Sequence, residues 1–575
     1  METAEHVLPR FTTHEVFNQA PPFADVNLFA CDPALREAVE REGAGWAGAA
    51  LDALGARLGS AGSLALGDLA NAHPPTLRAF DAQGHRIDEV EFHPAWHALL
   101  GQMIAEGAHA APWDTPRAGA QVARAAQYLL FGQVENGTQC PVTMTYASVP
   151  ALRQHPAIAA RWLPKILSRQ YDPRALPVAQ KTGALVGMGM TEKQGGTDVR
   201  ANTTTATLVD DSEGRYSIVG HKWFFSVPHA DAHLILARVA PGGPLSCFFV
   251  PRFLDDGSRN AIRIQRLKDK LGNCSNASGE VEFCEAAGWM IGAPGRGIPT
   301  ILEMGSHTRL DCVLGSAGIM RAALCHALHH ARGRAAFGRM LADQPLMQNV
   351  LADLALESEA ATAFALRLAR CFDEKDDPVQ AMLGRLLTPA GKYWICKRAP
   401  GFCFEAMEVI GGNGYVEEGP LARRYREAPV NSIWEGSGNV MCLDLLRAIG
   451  KAPEAARAAL AAELAPAAER DPALARYAEA LLAGLATESA NEYGARAVAE
   501  RVVTAVQGAL LVLHAPKFVS DAFVQSRIAA HPGGAYGRLP AGIDCGAILA
   551  RALQTCRSAK DIYLTKPGQT GIGLG

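Results

Sequence analysis

Several features that would define a protein class at once are absent from this 575-residue sequence. None of its 13 cysteines forms a C-x-x-C pair, so neither a disulfide framework nor a thiolate metal site is indicated. The cysteines are scattered through apolar stretches, which is typical of buried, reduced thiols in an intracellular protein. We therefore predict no metal site.

Long apolar runs and a strong net charge are also missing. No stretch reaches the roughly 18 to 20 unbroken apolar residues of a membrane span, and the first residues, METAEHVLPRF, have no signal-peptide core. A formal net charge of −3 and a pI near 6.6 argue against a protein whose whole surface binds a polyanion. A local basic patch is still compatible with this net charge. The expectation is a cytoplasmic protein with no membrane partner.

The composition, 49% hydrophobic and 20% charged, and the length are those of a globular protein with several domains. Helical spacing of apolar residues dominates, but residues 181–297 alternate as strands do, with a turn at Pro241-Gly-Gly-Pro244 between two apolar runs. We predict a mainly α protein with a central antiparallel β-domain. The predicted domains are 1–180, helical with an N-terminal extension; 181–297, the β-domain; 298–450, a helical bundle; and 451–575, an appended helical domain.

Two segments of the β-domain combine polar and aromatic groups. The loop MGMTEKQGGTD (188–198) concentrates hydroxyls and backbone donors, and HKWFFS (221–226) places aromatic rings beside a hydroxyl. Together they suit a flat polar cofactor. Taken singly, an ordinary Gly-rich turn and buried strand aromatics are the more economical interpretations.

A third segment, NSIWEGSGNVM (431–441), places Glu435 in a Gly/Ser loop directly before a helical pattern. Ser437 or Asn439 can cap that helix and Gly450 can end it. The plain interpretation is that Glu435 only complements the helix dipole. The alternative is a carboxylate held with several backbone N–H groups against one ligand.

The chain resembles the acyl-CoA dehydrogenase superfamily of flavoproteins over nearly all of residues 40–450. The resemblance rests on a helical domain followed, in this order, by the motifs MTEKQGGTD, HKWFFS, RAAFG, GGNGY and WEGSGN. Ordered motifs at family spacing carry far more weight than any one of them. The variants MGMTEKQGG, GHKWFFSVP, DKLGN, ICKR and PVNSIWEGSGNVMCLDLLR are most similar to the AidB group, adaptive-response flavoproteins linked to protection against DNA alkylation.

The resemblance implies a fold of helical domain, β-barrel domain and helical bundle, and a homotetramer with one FAD per subunit, completed by a neighbouring chain. The implied cofactor contacts are Met188, Thr191, Gly196, Thr197, Phe224, Phe225 and Ser226; from the adjacent subunit Arg334, Phe337, Gln344, Gly411 and Gly412; and finally Ile433, Gly436, Ser437 and Asn439. Glu435 takes the role of general base, which removes the proton α to a thioester while a hydride passes to flavin N5. Its backbone N–H would polarise the thioester carbonyl.

Three residues depart from the common pattern of the family. Phe224 stands where many relatives have a flavin-stacking tryptophan, and Glu408 where many have glutamine. Trp434 replaces a tyrosine beside the base, and its larger ring favours a short substrate or none. The resemblance to the AidB group implies weak acyl-CoA dehydrogenase activity.

The alternative is a metabolic acyl-CoA dehydrogenase of lipid or branched-chain amino-acid catabolism without DNA binding. Direct demethylation of DNA bases has no supporting motif.

Double-stranded DNA binding through the last domain is a further implication of the resemblance. From Lys451 to Gly575 there are thirteen Lys/Arg and eleven Asp/Glu, and 13 − 11 gives only +2. Phosphate binding needs several cations on one face, whereas a solvated helical domain with balanced charge needs none. The candidate cations are Arg447, Arg457, Arg496, Arg501, Arg527, Arg538, Arg551, Arg557 and Lys560. No base-reading motif accompanies them, so any binding should tolerate all sequences.

Overall fold

Helices dominate the computed structural model, which describes residues 13–489, 491–530 and 534–554. A seven-stranded sheet lies in the middle of the sequence, between two helical parts. This arrangement confirms the predicted fold class. The candidate cations Arg557 and Lys560, the tail from Lys566 and part of the loop around Pro532 lie outside the described residues.

The first helical part begins with a sharply capped helix. The Asp32 carboxylate accepts the N–H of Leu35, and Pro33 occupies the first turn, where its missing N–H costs nothing. The helices are Pro33–Arg41 (α1), Gly48–Leu58 (α2), Ala61–Ala72 (α3), Pro94–Ala105 (α4), Ala111–Asp114 (α5), Ala120–Gly132 (α6), Gln139–Leu152 (α7) and Pro156–Ile166 (α8).

A β-hairpin interrupts these helices, and the sequence analysis missed it. Thr76–Phe80 (β1) pairs antiparallel with Arg86–Glu91 (β2). Both strands are short; four of the six residues of β2 are charged, and β1 has no fully buried residue. Their apolar residues are too few to give the period-two pattern on which strand prediction depends.

The central sheet has the strand order β3-β5-β4-β6-β7-β9-β8. Its strands are Val186–Gly189 (β3), Thr205–Asp210 (β4), Arg215–Ser226 (β5), Ala232–Arg238 (β6), Leu245–Pro251 (β7), Ile262–Leu267 (β8) and Ser278–Ile291 (β9). The hairpin predicted around Pro241-Gly-Gly-Pro244 is present as β6 and β7. The sheet is not wholly antiparallel, because β3 and β4 each pair in parallel with β6.

The helical bundle follows the sheet. Its elements are Gly297–Gly333 (α9), the short hairpin Ala335–Ala336 (β10) and Arg339–Met340 (β11), Pro345–Asp373 (α10), Pro378–Ile410 (α11), Gly412–Tyr415 (α12), Ala422–Glu427 (α13), Val430–Ile433 (α14) and Gly438–Lys451 (α15). Helix α11 starts at Pro378, because the Asp377 carboxylate accepts the N–H groups of Val379 and Gln380 and caps it. Pro389 therefore lies inside the helix.

Two described helices are long and apolar enough to cross a membrane. They are Gly297–Gly333, with 89% of its most apolar window buried, and Glu492–His514, with 67% buried. Both pack against neighbouring helices. Helix α9 packs against α11, and the second helix packs against α10 and α11. Such burial is that of core helices in a globular fold.

The last helices pack against the bundle instead of standing apart from it. They are Pro453–Ala468 (α16), Pro472–Ser489 (α17), Ala495–His514 (α18), Lys517–Phe523 (α19) and Cys545–Ala552 (α20). Arg527, in the turn after α19, forms ion pairs with Asp353 and Glu357 of α10. Arg398 of α11 also pairs with Glu357, at 3.0 Å. Buried charges thus join the last domain to two helices of the bundle.

Two of the arginines predicted to bind DNA belong to these buried contacts. The side chain of Arg527 is only 10% exposed, and that of Arg551 is equally buried between Glu37 of α1 and Glu359 of α10. Each guanidinium is already neutralised by two carboxylates. The prediction that Arg527 and Arg551 contact phosphate is therefore wrong for this folded structure.

We expect Arg527→Ala to lower the free energy of unfolding by about 3–5 kcal/mol, because it leaves the carboxylates of Asp353 and Glu357 without one counter-charge. Denaturant titration followed by far-UV circular dichroism measures the change. Arg476→Ala, an exposed arginine on α17, is the control and should stay within about 0.5 kcal/mol of the parent. Equal stability of the two variants would contradict the role assigned to the Arg527 ion pairs.

Candidate active site

Glu435 has a backbone conformation that a glutamate rarely adopts. Its φ of 57° lies in the left-handed region, between the β-region residue Trp434 and the flexible Gly436. Thr308 of α9 donates a hydrogen bond of 2.7 Å to the Glu435 carboxylate, and Arg309 donates to its carbonyl at 3.0 Å. Strained residues of this kind concentrate at functional sites, because surrounding contacts must hold them in place.

Lys392 supplies the contacts that hold this conformation. Its buried ammonium donates to the carbonyl of Trp434 at 2.5 Å and to the carbonyl of Gly436, the two residues that flank Glu435. The N–H of Glu435 has no acceptor among the hydrogen bonds of the described residues. It is therefore free to donate to a ligand. Lys392 was not singled out by the sequence analysis; it lies 43 residues before Glu435, inside a long helix.

A narrow cavity, with room for only about one or two water molecules, lies beside the Glu435 carboxylate. Burial raises the pKa of Glu427 in its wall to about 7. Most of the cavity surface is apolar, although many of the other lining residues are polar: Tyr128, Asn136, Gln139, Cys140, Thr143, Met144, Thr308, Asp311, Cys312, Gly315, Asn431 and Trp434. Trp434 forms part of the cavity wall. The sequence analysis predicted that its ring would narrow the space for an acyl group.

The loop at 188–198 is anchored by a buried ion pair that sequence analysis missed. Glu192 and Lys222 are both fully buried and 2.8 Å apart. Although burial opposes ionisation, Lys222 and the hydrogen bonds from Thr203 and Thr204 hold the pKa of Glu192 well below its usual range. The N–H of Trp223 bonds to the carbonyl of Thr191 at 2.8 Å. The two segments predicted to share a ligand therefore lie side by side.

The residues of these segments divide between core and surface. Met188 and Phe225 point into the hydrophobic core, Met188 being 4% exposed and Phe225 fully buried. Neither side chain is open to solvent in this structure, and the cofactor contacts expected at Met188 and Phe225 stay predictions. Phe224 faces outward and is 53% exposed, and Ser226 is half-buried. Alternation along a strand explains why neighbouring phenylalanines point in opposite directions.

The remaining loop residues are accessible. Thr191 is half-buried, and Gly196 and Thr197 are exposed; a Cβ at Gly196 would lie 2.3 Å from the Thr191 hydroxyl, so only glycine fits there. Cys140 lines the cavity beside Glu435, and burial raises the pKa of its thiol to about 12.

A second group of predicted contacts lies at the end of α9. Phe337 is 99% exposed with a φ of 52°, and the Gln344 amide donates to the carbonyl of Ala336 at 3.0 Å. Asn18 of the N-terminal arm accepts from Arg334 and bonds through its side chain to both the N–H and the carbonyl of Ala335. Asn18 was not predicted, because nothing in the arm's sequence indicates this pairing.

No hydrogen bond among the described residues joins this second group to the loop at 188–198. Gly411 and Gly412 form an open turn at the end of α11, where an added Cβ would meet nothing within 4 Å. Arg334, Phe337 and Gln344 thus make no hydrogen bond to the loop of their own β-domain among the described residues. This is compatible with the expectation that they complete a neighbouring subunit's site.

The last predicted contacts surround Glu435. Ile433 is 66% exposed, and Gly436 has a φ of 106° that favours glycine. Ser437 is the N-cap residue of α15, yet its side chain makes no capping hydrogen bond. Asn439 is exposed and accepts from Arg496. The helix continues past the predicted end at Gly450 to Lys451.

These features fit FAD at the predicted place. An outward phenylalanine on β5 offers a surface for a flat ring, the open glycine turn leaves space for a close approach, and the Ser437 hydroxyl is unused by its own helix. Among the described residues, no group of three His, Cys, Asp or Glu side chains is arranged to hold a metal.

Comparison with known proteins gives the same family. Residues 18–173 match the adaptive response protein AidB N-terminal domain, 187–286 the acyl-CoA dehydrogenase middle domain and 295–450 the acyl-CoA dehydrogenase C-terminal domain. AidB of Escherichia coli K12 is 56% identical over 441 residues, which cover 76% of this chain and 81% of the relative. The chain belongs to the acyl-CoA dehydrogenase family.

Two solved structures extend the similarity to the whole fold. The apo form of Bd2924 is 31% identical, with a TM-score of 0.79, over 87% of this chain and all of that one. Caenorhabditis elegans ACDH-11 in complex with C11-CoA is 26% identical, with a TM-score of 0.81, over 96% of this chain and 95% of that one. The oxidoreductase class and the FAD cofactor predicted from the motifs are those of this family, which confirms both predictions at that level.

We expect Lys392→Met to slow any flavin reduction about a hundredfold while FAD stays bound. Without the ammonium, the carbonyls on either side of Glu435 lose their donor and the carboxylate leaves its place, and a displacement of about 1 Å costs this much. Anaerobic stopped-flow absorbance measures the rate. Lys375→Met, an exposed lysine in the loop after α10, is the control; matching rates in the two variants would show that Lys392 does not position the base.

Proposed function

We propose that this chain is an FAD-dependent acyl-CoA dehydrogenase of the AidB type, in which Glu435 removes the proton α to the carbonyl of an acyl-CoA thioester. The observation that carries the proposal is the left-handed Glu435, whose carboxylate borders a cavity and bonds to Thr308. A base must be fixed in reach of the proton it takes.

The chain's own groups divide the work of the reaction. Thr308 orients the Glu435 carboxylate, Lys392 fixes the backbone on both sides, and the free N–H of Glu435 donates to the thioester carbonyl as negative charge develops there. FAD, which Thr191, Phe224 and Ser437 are proposed to hold, would supply the acceptor for the β-hydride at flavin N5. Glu435 then holds the α-proton at its carboxylate.

The proposed dehydrogenase activity is weak and directed to a short acyl group. The cavity beside Glu435 has room for only about one or two water molecules, with Trp434 in its wall. A long alkyl chain would therefore have to displace closely packed wall residues, and overpacking of this kind costs about 1–3 kcal/mol. A short acyl group displaces fewer of them.

We propose that the protein is a cytoplasmic homotetramer in which neighbouring subunits complete each FAD site. Strongly exposed apolar side chains lie in, or within a few residues of, the segments that carry the predicted adenine-end contacts or that bond to them: Val16, Phe17, Phe337, Leu346 and Tyr415. Exposed large apolar side chains are common at interfaces. Arg334 and Gln344 lie in the same region and would serve the neighbour's cofactor.

We expect Glu435→Gln to abolish dehydrogenation and to leave FAD bound, because the amide cannot accept the proton but keeps the size of the carboxylate. Anaerobic flavin bleaching with a panel of acyl-CoA thioesters measures the reaction. Glu418→Gln, at an exposed position, is the matched control. Undiminished bleaching in Glu435→Gln would remove this residue from the mechanism, and fast bleaching of the parent by one long thioester would favour the metabolic alternative.

We further propose sequence-independent binding of double-stranded DNA, in an adaptive response to alkylation damage. The support is the similarity to AidB. With Arg527 and Arg551 in internal ion pairs, the exposed candidates from the sequence analysis include Arg447 and Arg538, together with Arg457 and Arg496. Cations from several subunits would have to combine, because counterion release at many phosphates supplies non-specific affinity.

We expect the association constant for duplex DNA to fall steeply with salt concentration, by a logarithmic slope of about 0.9 for each phosphate contact. Arg447→Ala combined with Arg538→Ala should reduce that slope, whereas Arg57→Ala in the N-terminal helices should leave it unchanged. Fluorescence anisotropy with labelled duplexes of two unrelated sequences measures both quantities. Absence of binding even at low salt would exclude the DNA proposal without affecting the proposed dehydrogenase.

A further inference from the structure

One residue of the last domain reaches the loop that carries Glu435. Arg496, in the first turn of α18, donates two hydrogen bonds to the Oδ1 atom of Asn439, from Nε at 2.9 Å and from Nη2 at 2.8 Å. Asn439 lies in the first turn of α15, four residues after the base. Among the hydrogen bonds of the described residues, no other joins the part of the chain after Lys451 to residues 431–441.

These bonds fix the orientation of the Asn439 amide. A guanidinium has only donors, so the amide must turn its oxygen toward Arg496 and its Nδ2 group away. That Nδ2 group has no acceptor among the described hydrogen bonds, and the residue is exposed. Asn439 therefore presents an oriented donor to solvent, beside the unused hydroxyl of Ser437.

The surroundings restrict the arginine as well. The guanidinium carbon of Arg496 lies 5.9 Å from the ring centre of Tyr393 on α11. The same ring packs under the start of α15, since a Cβ added at Gly438 would be 3.3 Å from it. Arg496, Tyr393 and Asn439 thus form one contact between α18, α11 and α15, and a movement of α18 would be felt at Asn439.

We propose that Arg496 is a positioning residue of the cofactor site: it holds the Asn439 amide so that Nδ2 donates to an oxygen of the ribose–pyrophosphate part of FAD. The proposal rests on the proposed function, because it takes Asn439 as a cofactor contact. It gives the last domain a role in the flavin site itself. That role is independent of whether the domain binds DNA.

A double-mutant cycle tests the coupling. The dissociation constant of FAD is measured by titrating the apoprotein and following flavin fluorescence, for the parent, Arg496→Ala, Asn439→Ala and the double variant. We expect each single variant to bind FAD about tenfold more weakly, and the double variant to bind no more weakly than either, because both changes remove the same interaction. Arg496→Lys, which cannot form the two-nitrogen contact, should fall between parent and Arg496→Ala.

Two controls separate positioning from a merely structural contact. Arg457→Ala, an exposed arginine on α16, should leave FAD affinity unchanged, and the thermal midpoint of apo Arg496→Ala should match that of the parent apoprotein. Unchanged FAD affinity in Arg496→Ala, or losses that simply add in the double variant, would overturn the proposal. A parent protein that fails to bind FAD at all would instead contradict the proposed function.

Discussion

The site depends on one buried charge, the ammonium of Lys392 between two backbone carbonyls. Removing a lysine from water is costly unless its protons find acceptors, and here the carbonyls of Trp434 and Gly436 serve as those acceptors. The residue between them, Glu435, is thereby held in a left-handed conformation that a free chain would rarely keep. The direction of the carboxylate toward Thr308 and the freedom of the Glu435 N–H both follow from this arrangement.

A second buried lysine anchors the loop at 188–198. Glu192 of this loop and Lys222 of β5 are both fully buried and form an ion pair, and Thr203 and Thr204 complete the carboxylate's hydrogen bonds. Breaking such a pair would leave an uncompensated buried charge, so the pair holds the loop against the strand. Phe224 lies two residues after Lys222 on the same strand, which sets the direction of its side chain. The Glu435 loop and the loop at 188–198 are therefore each held by a buried lysine.

The sequence predicted the kinds of elements well and the anchors poorly, for a physical reason. Helical and strand periodicities are local, so the bundle helices and the β6–β7 hairpin could be read from the pattern, whereas the charged β1–β2 hairpin could not. Motifs drew attention to Glu435, Phe224 and the glycine turns. Lys392 resembles any lysine of a helix surface, because the carbonyls it binds are more than forty residues away and belong to irregular backbone. Burial of a charge is decided by tertiary structure.

The same reasoning applies to the last domain and the question of DNA. Counting charges gave an excess of two cations from Lys451 to Gly575, but Arg527 and Arg551 neutralise carboxylates that lie 174 and 192 residues earlier in the chain. Each arginine used in this way is removed from the surface that a phosphate would meet. Ion pairs of this type fix how a domain docks more than they add to its stability. Because these ion pairs fix the last domain against the bundle, Arg496 of that domain bonds to Asn439. The last domain is therefore in direct contact with the loop that carries Glu435.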